Sequence, residues 1–261
     1  MSGEAILECR GATKRFGDFT AVEGVTYKVA EGESAGIIGP NGAGKSTFFN
    51  LLTGLFPPSE GQIFFGGRDV TALGAEGRVA LGLVRTFQLV SVFNSLPVLD
   101  NMVLAVTRFS PNFDSTPSFM MGSAHKKRIT DACLEQLELV GLSGLERVIT
   151  DELSYGDKRK LEIGMAMALK PQVLLLDEPL AGLSDVEITD VQELIQAVKH
   201  QFTLVIIEHK ISRLLTLVNR LSVMHEGRLI AEGDPDKVLD DPLVREVYWG
   251  DAACTVRPSG E

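Results

Sequence analysis

The sequence predicts an α/β fold: a mixed β-sheet core carrying an antiparallel β subdomain and a helical subdomain. Three observations predict it. Short unbroken apolar runs at Ala35–Ile38, Val173–Leu176 and Leu204–Ile207 have the length of strands without alternation, as parallel strands covered on both faces do. Elsewhere, as at Ala5–Glu8 and at Val25, Tyr27 and Val29, apolar residues recur at every second position, the pattern of half-buried antiparallel strands. Between Gln88 and Met167 the chain reads largely helical. Each buried run leads into a polar cluster, and open α/β sheets bind ligands at the carboxyl ends of their strands.

Taken in order, the period-2 segments near the N-terminus give antiparallel strands, and Ile63–Val70, interrupted by Gly66-Gly67, gives a hairpin. Pro111, Pro117 and four serines make a loop of Arg108 to Ser123. A helix runs from about Ala124 to Val140 and stops at Gly141. The next has Leu161, Gly164, Met165, Ala168 and Leu169 on one face. A third follows Ser184, where Asp185-Val186-Glu187 completes a capping box ahead of Ile188, Val191, Leu194, Ile195 and Val198. Leu221 to Glu232 closes the pattern as a hairpin turning at Glu226-Gly227. No internal repeat is visible, so residues 1–250 read as one domain, with a helical subdomain at about 89–168 and a loosely ordered tail at 251–261.

Composition narrows the class. The 261 residues are 44% hydrophobic and 23% charged, ordinary values for a folded protein with a sizeable core. A net charge of −10, from 25 basic and 35 acidic residues, argues against a nucleic-acid partner, which would require a basic footprint. Cys9, Cys133 and Cys254 lie far apart and read as reduced thiols, with neither a disulfide framework nor a zinc site. Met1 to Arg10 lacks a secretory pattern, and no apolar run reaches the roughly 18 residues of a membrane span. Work at a membrane would therefore go through partners.

Gly39-Pro40-Asn41-Gly42-Ala43-Gly44-Lys45-Ser46, between a buried strand and a helix beginning Thr47-Phe48-Phe49, is a phosphate-binding loop. Its glycines let backbone N–H groups approach phosphates, Lys45 supplies a point charge, and the Ser46 hydroxyl can ligate Mg²⁺. Asp177 ends an apolar run, where a carboxylate needs a cation such as Mg²⁺. Glu178 follows it, placed to act as a general base towards water. The loop and the acidic pair together indicate nucleoside triphosphate chemistry.

With Gln88, Leu153-Ser154-Tyr155-Gly156-Asp157 and His209, these motifs resemble, in order and separation, the set of an ABC-transporter ATP-binding subunit, a P-loop NTPase cassette. The resemblance covers about residues 5–250. It implies an ATPase on the cytoplasmic face of the inner membrane, peripheral to transmembrane permease subunits, with ATP and Mg²⁺ as cofactors. It implies further that two cassettes close head to tail, in a homo- or heterodimer, so that Ser154, Tyr155, Gly156 and Asp157 reach nucleotide held by the other chain. Phe16 would stack on adenine, Gln88 would sense Mg²⁺ and the attacking water, and His209 would contact the γ-phosphate. Residues Gly39 to Thr47 would bind the triphosphate, with Ser46, Gln88 and Asp177 at the metal and Lys45, Glu178 and His209 in catalysis. Ala181-Gly182-Leu183-Ser184 stands where the family makes cross-dimer contacts.

Two departures stand out, because the family usually has Gly at the position of Tyr155 and Gln at that of Asp157. With Arg85-Thr86-Phe87-Gln88, Val98-Leu99-Asp100-Asn101 and the ending Val244 to Gly250, the variant signature is similar to ATPases that import branched-chain or other hydrophobic amino acids. An importer would add a solute-binding protein. Urea and amide importers and a lipopolysaccharide-export ATPase are the near alternatives. A soluble ABC ATPase is disfavoured by the single cassette without a coiled-coil insertion, and a non-hydrolysing subunit by the retention of Glu178 and His209.

Overall fold

The computed structural model describes residues 5–108 and 123–249. The predicted loop between Arg108 and Ser123, the tail from Asp251 and Cys254 lie outside them. Along the chain run β1 (Ala5–Phe16), β2 (Phe19–Ala30), β3 (Ser34–Ile38), α1 (Lys45–Thr53), β4 (Glu60–Phe65) and β5 (Arg68–Asp69). Next come α2 (Ala75–Ala80), β6 (Leu83–Arg85), α3 (Val98–Arg108), α4 (Ser123–Leu139), α5 (Tyr155–Ala168), β7 (Val173–Asp177) and α6 (Asp185–Val198). The chain finishes with β8 (Thr203–Ile207), α7 (Ile211–Leu214), β9 (Arg220–His225), β10 (Arg228–Gly233), α8 (Pro235–Leu239) and α9 (Pro242–Trp249). Two compact units result, Met1–Gly74 with Val205–Glu261, and Ala75–Leu204.

In the first unit, β2-β1-β4-β5 form an antiparallel sheet. Along β2 the predicted alternation holds, with Val25, Tyr27 and Val29 buried and Thr26 and Lys28 exposed. Gly66 and Gly67, both at positive φ, turn β4 into β5. The second group of strands has β9 antiparallel to β10 and parallel to β3, whose five residues are all buried. Glu226 (φ 46°) and Gly227 (φ 77°) make the tight turn between β9 and β10, both in the left-handed region a type I′ hairpin demands. Tyr27 meets Phe48 edge to face with ring centroids 5.6 Å apart, packing β2 on α1.

In the second unit, β6 lies parallel to β7, pairing Leu83 with Val173 and Arg85 with Leu175. Gly164 has a packing reason in α5, since a Cβ there would stand 3.0 Å from Val140 and 3.2 Å from Met102. Helix α4 ends within a residue of its predicted limit, and Gly141 takes φ 69° beyond it. Helix α6 carries the full capping box expected of Ser184 and Glu187. Elements α2, β6 and α7 were not legible, because three to six residues are too few to display a period. Cys9 and Cys133 are buried free thiols.

Candidate functional site

The phosphate loop is shaped by what presses on it from behind. A Cβ on Gly39 would come within 2.3 Å of the Met224 carbonyl, and one on Gly44 (φ 95°) within 2.4 Å of the Ala21 carbonyl. Only glycine lets β2 and β9 approach that closely. Gly227 secures the loop as well, its N–H donating to the Ala43 carbonyl at 3.0 Å while its own carbonyl accepts from Glu23 at 2.8 Å. Lys45 is 5% exposed, and its ammonium donates back to the carbonyls of Gly39 (2.7 Å) and Pro40 (3.1 Å). No side chain caps the N-terminus of α1, so its first-turn N–H groups, the helix dipole and Lys45 together suit an anion of the phosphate type. Asn41, Gly42 and Ser46 are exposed along this loop, while Pro40 and Thr47 are half-buried and Ala43 is buried.

Phe16 ends β1 on the surface, 46% exposed, with Phe56 edge-on at 5.8 Å and the Lys14 ammonium 5.3 Å from its ring. This is a supported, accessible aromatic and not a core residue. His209 is exposed just beyond β8, next to the buried Glu208.

In the second unit the acidic strand end has a partner that the sequence reading did not supply. Asp177 was expected to rely on Mg²⁺ for its cation, whereas Arg85 forms a salt bridge to its Oδ2 with both side chains nearly inaccessible, 8% and 4% exposed. Parallel pairing of β6 with β7 brings the two strand ends together; a charged residue closing a short apolar run was the only signal. The other oxygen, Asp177 Oδ1, is buried without a hydrogen-bond partner among the described residues. An orphaned carboxylate oxygen is costly unless something binds it, so the residues fit a metal ion or a metal-bound water there. Glu178, 7% exposed, takes φ 48°, an uncommon conformation for a residue with a side chain and one that recurs at functional positions. Its Oε2 accepts from Gln88 Nε2 at 2.9 Å. The structure thus brings Gln88 to Glu178 across 90 positions of sequence.

The signature forms a second cluster. Ser154 caps α5, its Oγ accepting the Asp157 N–H at 3.0 Å. The Gly156 N–H donates to Glu187 Oε1 at 2.8 Å, and a Cβ at 156 would stand 2.6 Å from the Glu187 side chain. Tyr155 takes up the room beside Gly182, where an added methyl would come 3.2 Å from its ring. Asp157 is paired with Lys160 at 2.7 Å as well as lying in the first turn, so both departures from the usual signature are accommodated locally. Glu187 joins this cluster to Ser184, accepting from its N–H (3.0 Å) and hydroxyl (2.7 Å). The Ser184 hydroxyl, then the N–H groups of Ser184 and Gly156, hold the Glu187 carboxyl down at about 2. From its sequence position Glu187 reads only as a helix cap; nothing in the spacing shows that it also reaches Gly156.

The sequence model of the "ABC transporter" family matches residues 22–181, and that of "Branched-chain amino acid ATP-binding cassette transporter" matches 228–253. The high-affinity branched-chain amino acid transport ATP-binding protein BraF of Pseudomonas aeruginosa is 35% identical over 254 residues, 95% of this chain and 98% of BraF. LivG of Escherichia coli K12, of the same description, is 34% identical over 95% of this chain and 99% of its own length. The lipopolysaccharide export system ATP-binding protein LptB of Acidithiobacillus ferridurans is 34% identical over 94% of this chain and 97% of its own. Among solved structures, the ADP conformation of an ATP-binding cassette of an ABC transporter superposes with a TM-score of 0.81 at 32% identity, covering 95% of this chain and all of that one. Matched over most of its length in both sequence and fold, the chain belongs to the ATP-binding cassette family of ABC transporters and is one of its ATPase subunits.

Proposed function

We propose that this ATPase powers import of branched-chain or other hydrophobic amino acids, working with transmembrane permease subunits, a second cassette and a solute-binding protein at the cytoplasmic face of the membrane. The observation that carries the substrate class is the C-terminal match at residues 228–253 to branched-chain amino acid transporters, together with the names of BraF and LivG. LptB is nearly as similar in identity, and that C-terminal segment is what favours import over export. Among the described residues no helix is long and apolar enough to cross a membrane, which suits a peripheral subunit.

The catalytic reading assigns the site residues their tasks. Gly39 to Thr47 bind the triphosphate, with Lys45 releasing the Gly39 and Pro40 carbonyls to bond phosphate oxygens instead. Phe16 stacks on the adenine, and His209 meets the outer phosphate. Ser46, Gln88 and Asp177 would hold Mg²⁺, which when bound would neutralise charge on the phosphates. Glu178 accepts a proton from the attacking water, and Gln88 holds that carboxylate in place; the 2.9 Å bond between them supports the assignment. Ser154, Tyr155, Gly156 and Asp157 serve nucleotide on the partner cassette.

The test of the base is Glu178→Gln. ATP affinity should stay within about threefold while turnover drops about a hundredfold or more, the scale of general-base loss. Undiminished hydrolysis would remove Glu178 from the role. The substrate class is tested by reconstituting the transporter in vesicles and measuring leucine uptake driven by ATP.

A further inference from the structure

Arg159, in the second turn of α5, has a fully buried side chain. A guanidinium there needs partners, and its two terminal nitrogens find them, while Nε has none among the described residues. One is Glu162 on the same helix, 2.8 Å away. The others are main-chain carbonyls: Nη1 donates to Phe87 at 2.8 Å and Nη2 to Gln88 at 2.7 Å. Glu162 completes the arrangement by accepting the N–H groups of Phe87 (3.3 Å) and Ser91 (3.2 Å). A single buried ion pair thereby grips both edges of the backbone over residues 87–91. Filling volume does not explain it, because well-packed apolar residues would fill the same space without the desolvation penalty. The side chain of Gln88, whose backbone is gripped, donates to Glu178.

We propose that Arg159 and Glu162 are positioning residues for ATP hydrolysis: they clamp the backbone at Gln88 so that its side chain holds Glu178. The inference rests on the roles proposed above for Gln88 and Glu178. Because the pair stands on the helix that Ser154 caps, the clamp also ties the signature to the base, and a shift of α5 is passed to the backbone carrying Gln88. The planar guanidinium matters here. Two of its nitrogens address successive carbonyls at once, which a lysine ammonium cannot do in the same fixed geometry.

The test uses the full chain with the paired substitution Arg159→Met and Glu162→Leu, which fills the volume and strands neither charge. Hydrogen exchange of the amides at 87–91 should quicken about tenfold or more, with the helices elsewhere unchanged. ATP turnover should fall about tenfold with little change in KM. In a Gln88→Ala background the same pair should alter turnover by less than about twofold, because the clamp acts through Gln88. Wild-type exchange at 87–91, or an equal loss of turnover in both backgrounds, would overturn the clamp. Should the paired variant fail to fold, Arg159→Lys decides: faster exchange at 87–91 supports the proposal, and wild-type exchange and turnover overturn it. The two readings fail separately, since Gln88→Ala turning over at the wild-type rate removes the role given to Gln88, whereas the exchange result bears on the clamp alone.

Discussion

Lys45 and Asp177 are single buried charges that the proposed function assigns to a charged ligand. Lys45 is buried against two carbonyls of its own loop, contacts that the proposed nucleotide binding would exchange for phosphate oxygens. Lys45→Ala should therefore weaken ATP binding about tenfold or more, and titration calorimetry returning the wild-type affinity would contradict this. Asp177 is anchored through one oxygen by Arg85 and leaves the other buried and unbonded among the described residues. Arg85→Met would leave a buried carboxylate without its cation. We expect a loss of about 3 kcal/mol of stability in urea unfolding, since breaking one side of a buried pair strands the other charge. An unchanged midpoint would mean that the pair contributes nothing. Glu178 was legible from its place after an apolar run; its left-handed backbone was not, because no local signal in Asp177-Glu178-Pro179 requires it.

At the scale of elements, the connections between helices and loops carry the functional reading. Helix α6 begins with a capping box whose glutamate also bonds the start of α5, so one carboxylate organises two helix N-termini. Its folded pKa of about 2 lies below the ordinary glutamate value of 4.5, so the stability it adds is fully present above about pH 4.5 and is lost as pH falls towards 2. Wild type should accordingly be more stable than Glu187→Gln by a constant margin from pH 5 to 8, with the margin closing between pH 4.5 and 2. A margin independent of pH in denaturant titrations would show that the carboxylate's charge is not what stabilises the motif. The capping box was readable because its spacing is local. The link from Glu187 to Gly156 spans 31 positions, and only the packing of α5 against α6 creates it.

For the whole molecule, membership in the ABC family sets the expectation that this ATPase works as part of an assembly. Expressed alone, the chain should stay in the supernatant after ultracentrifugation; co-expressed with its permease subunits, it should sediment with membranes and wash off only on their extraction. Sedimentation independent of the permease would argue against the proposed partnership. The sequence by itself determined the α/β class, the order of the principal strands and helices, the phosphate loop, the acidic strand end and the signature. Those features are written in contiguous residues, through hydrophobic period, glycine spacing and local capping. Tertiary structure alone decided that Arg85 neutralises Asp177, that Gln88 bonds Glu178, that Tyr155 lies over Gly182 and that Arg159 with Glu162 holds the backbone beside Gln88. Each of these joins segments distant in sequence, and the choice of partner comes from strand register and helix packing that no local pattern encodes.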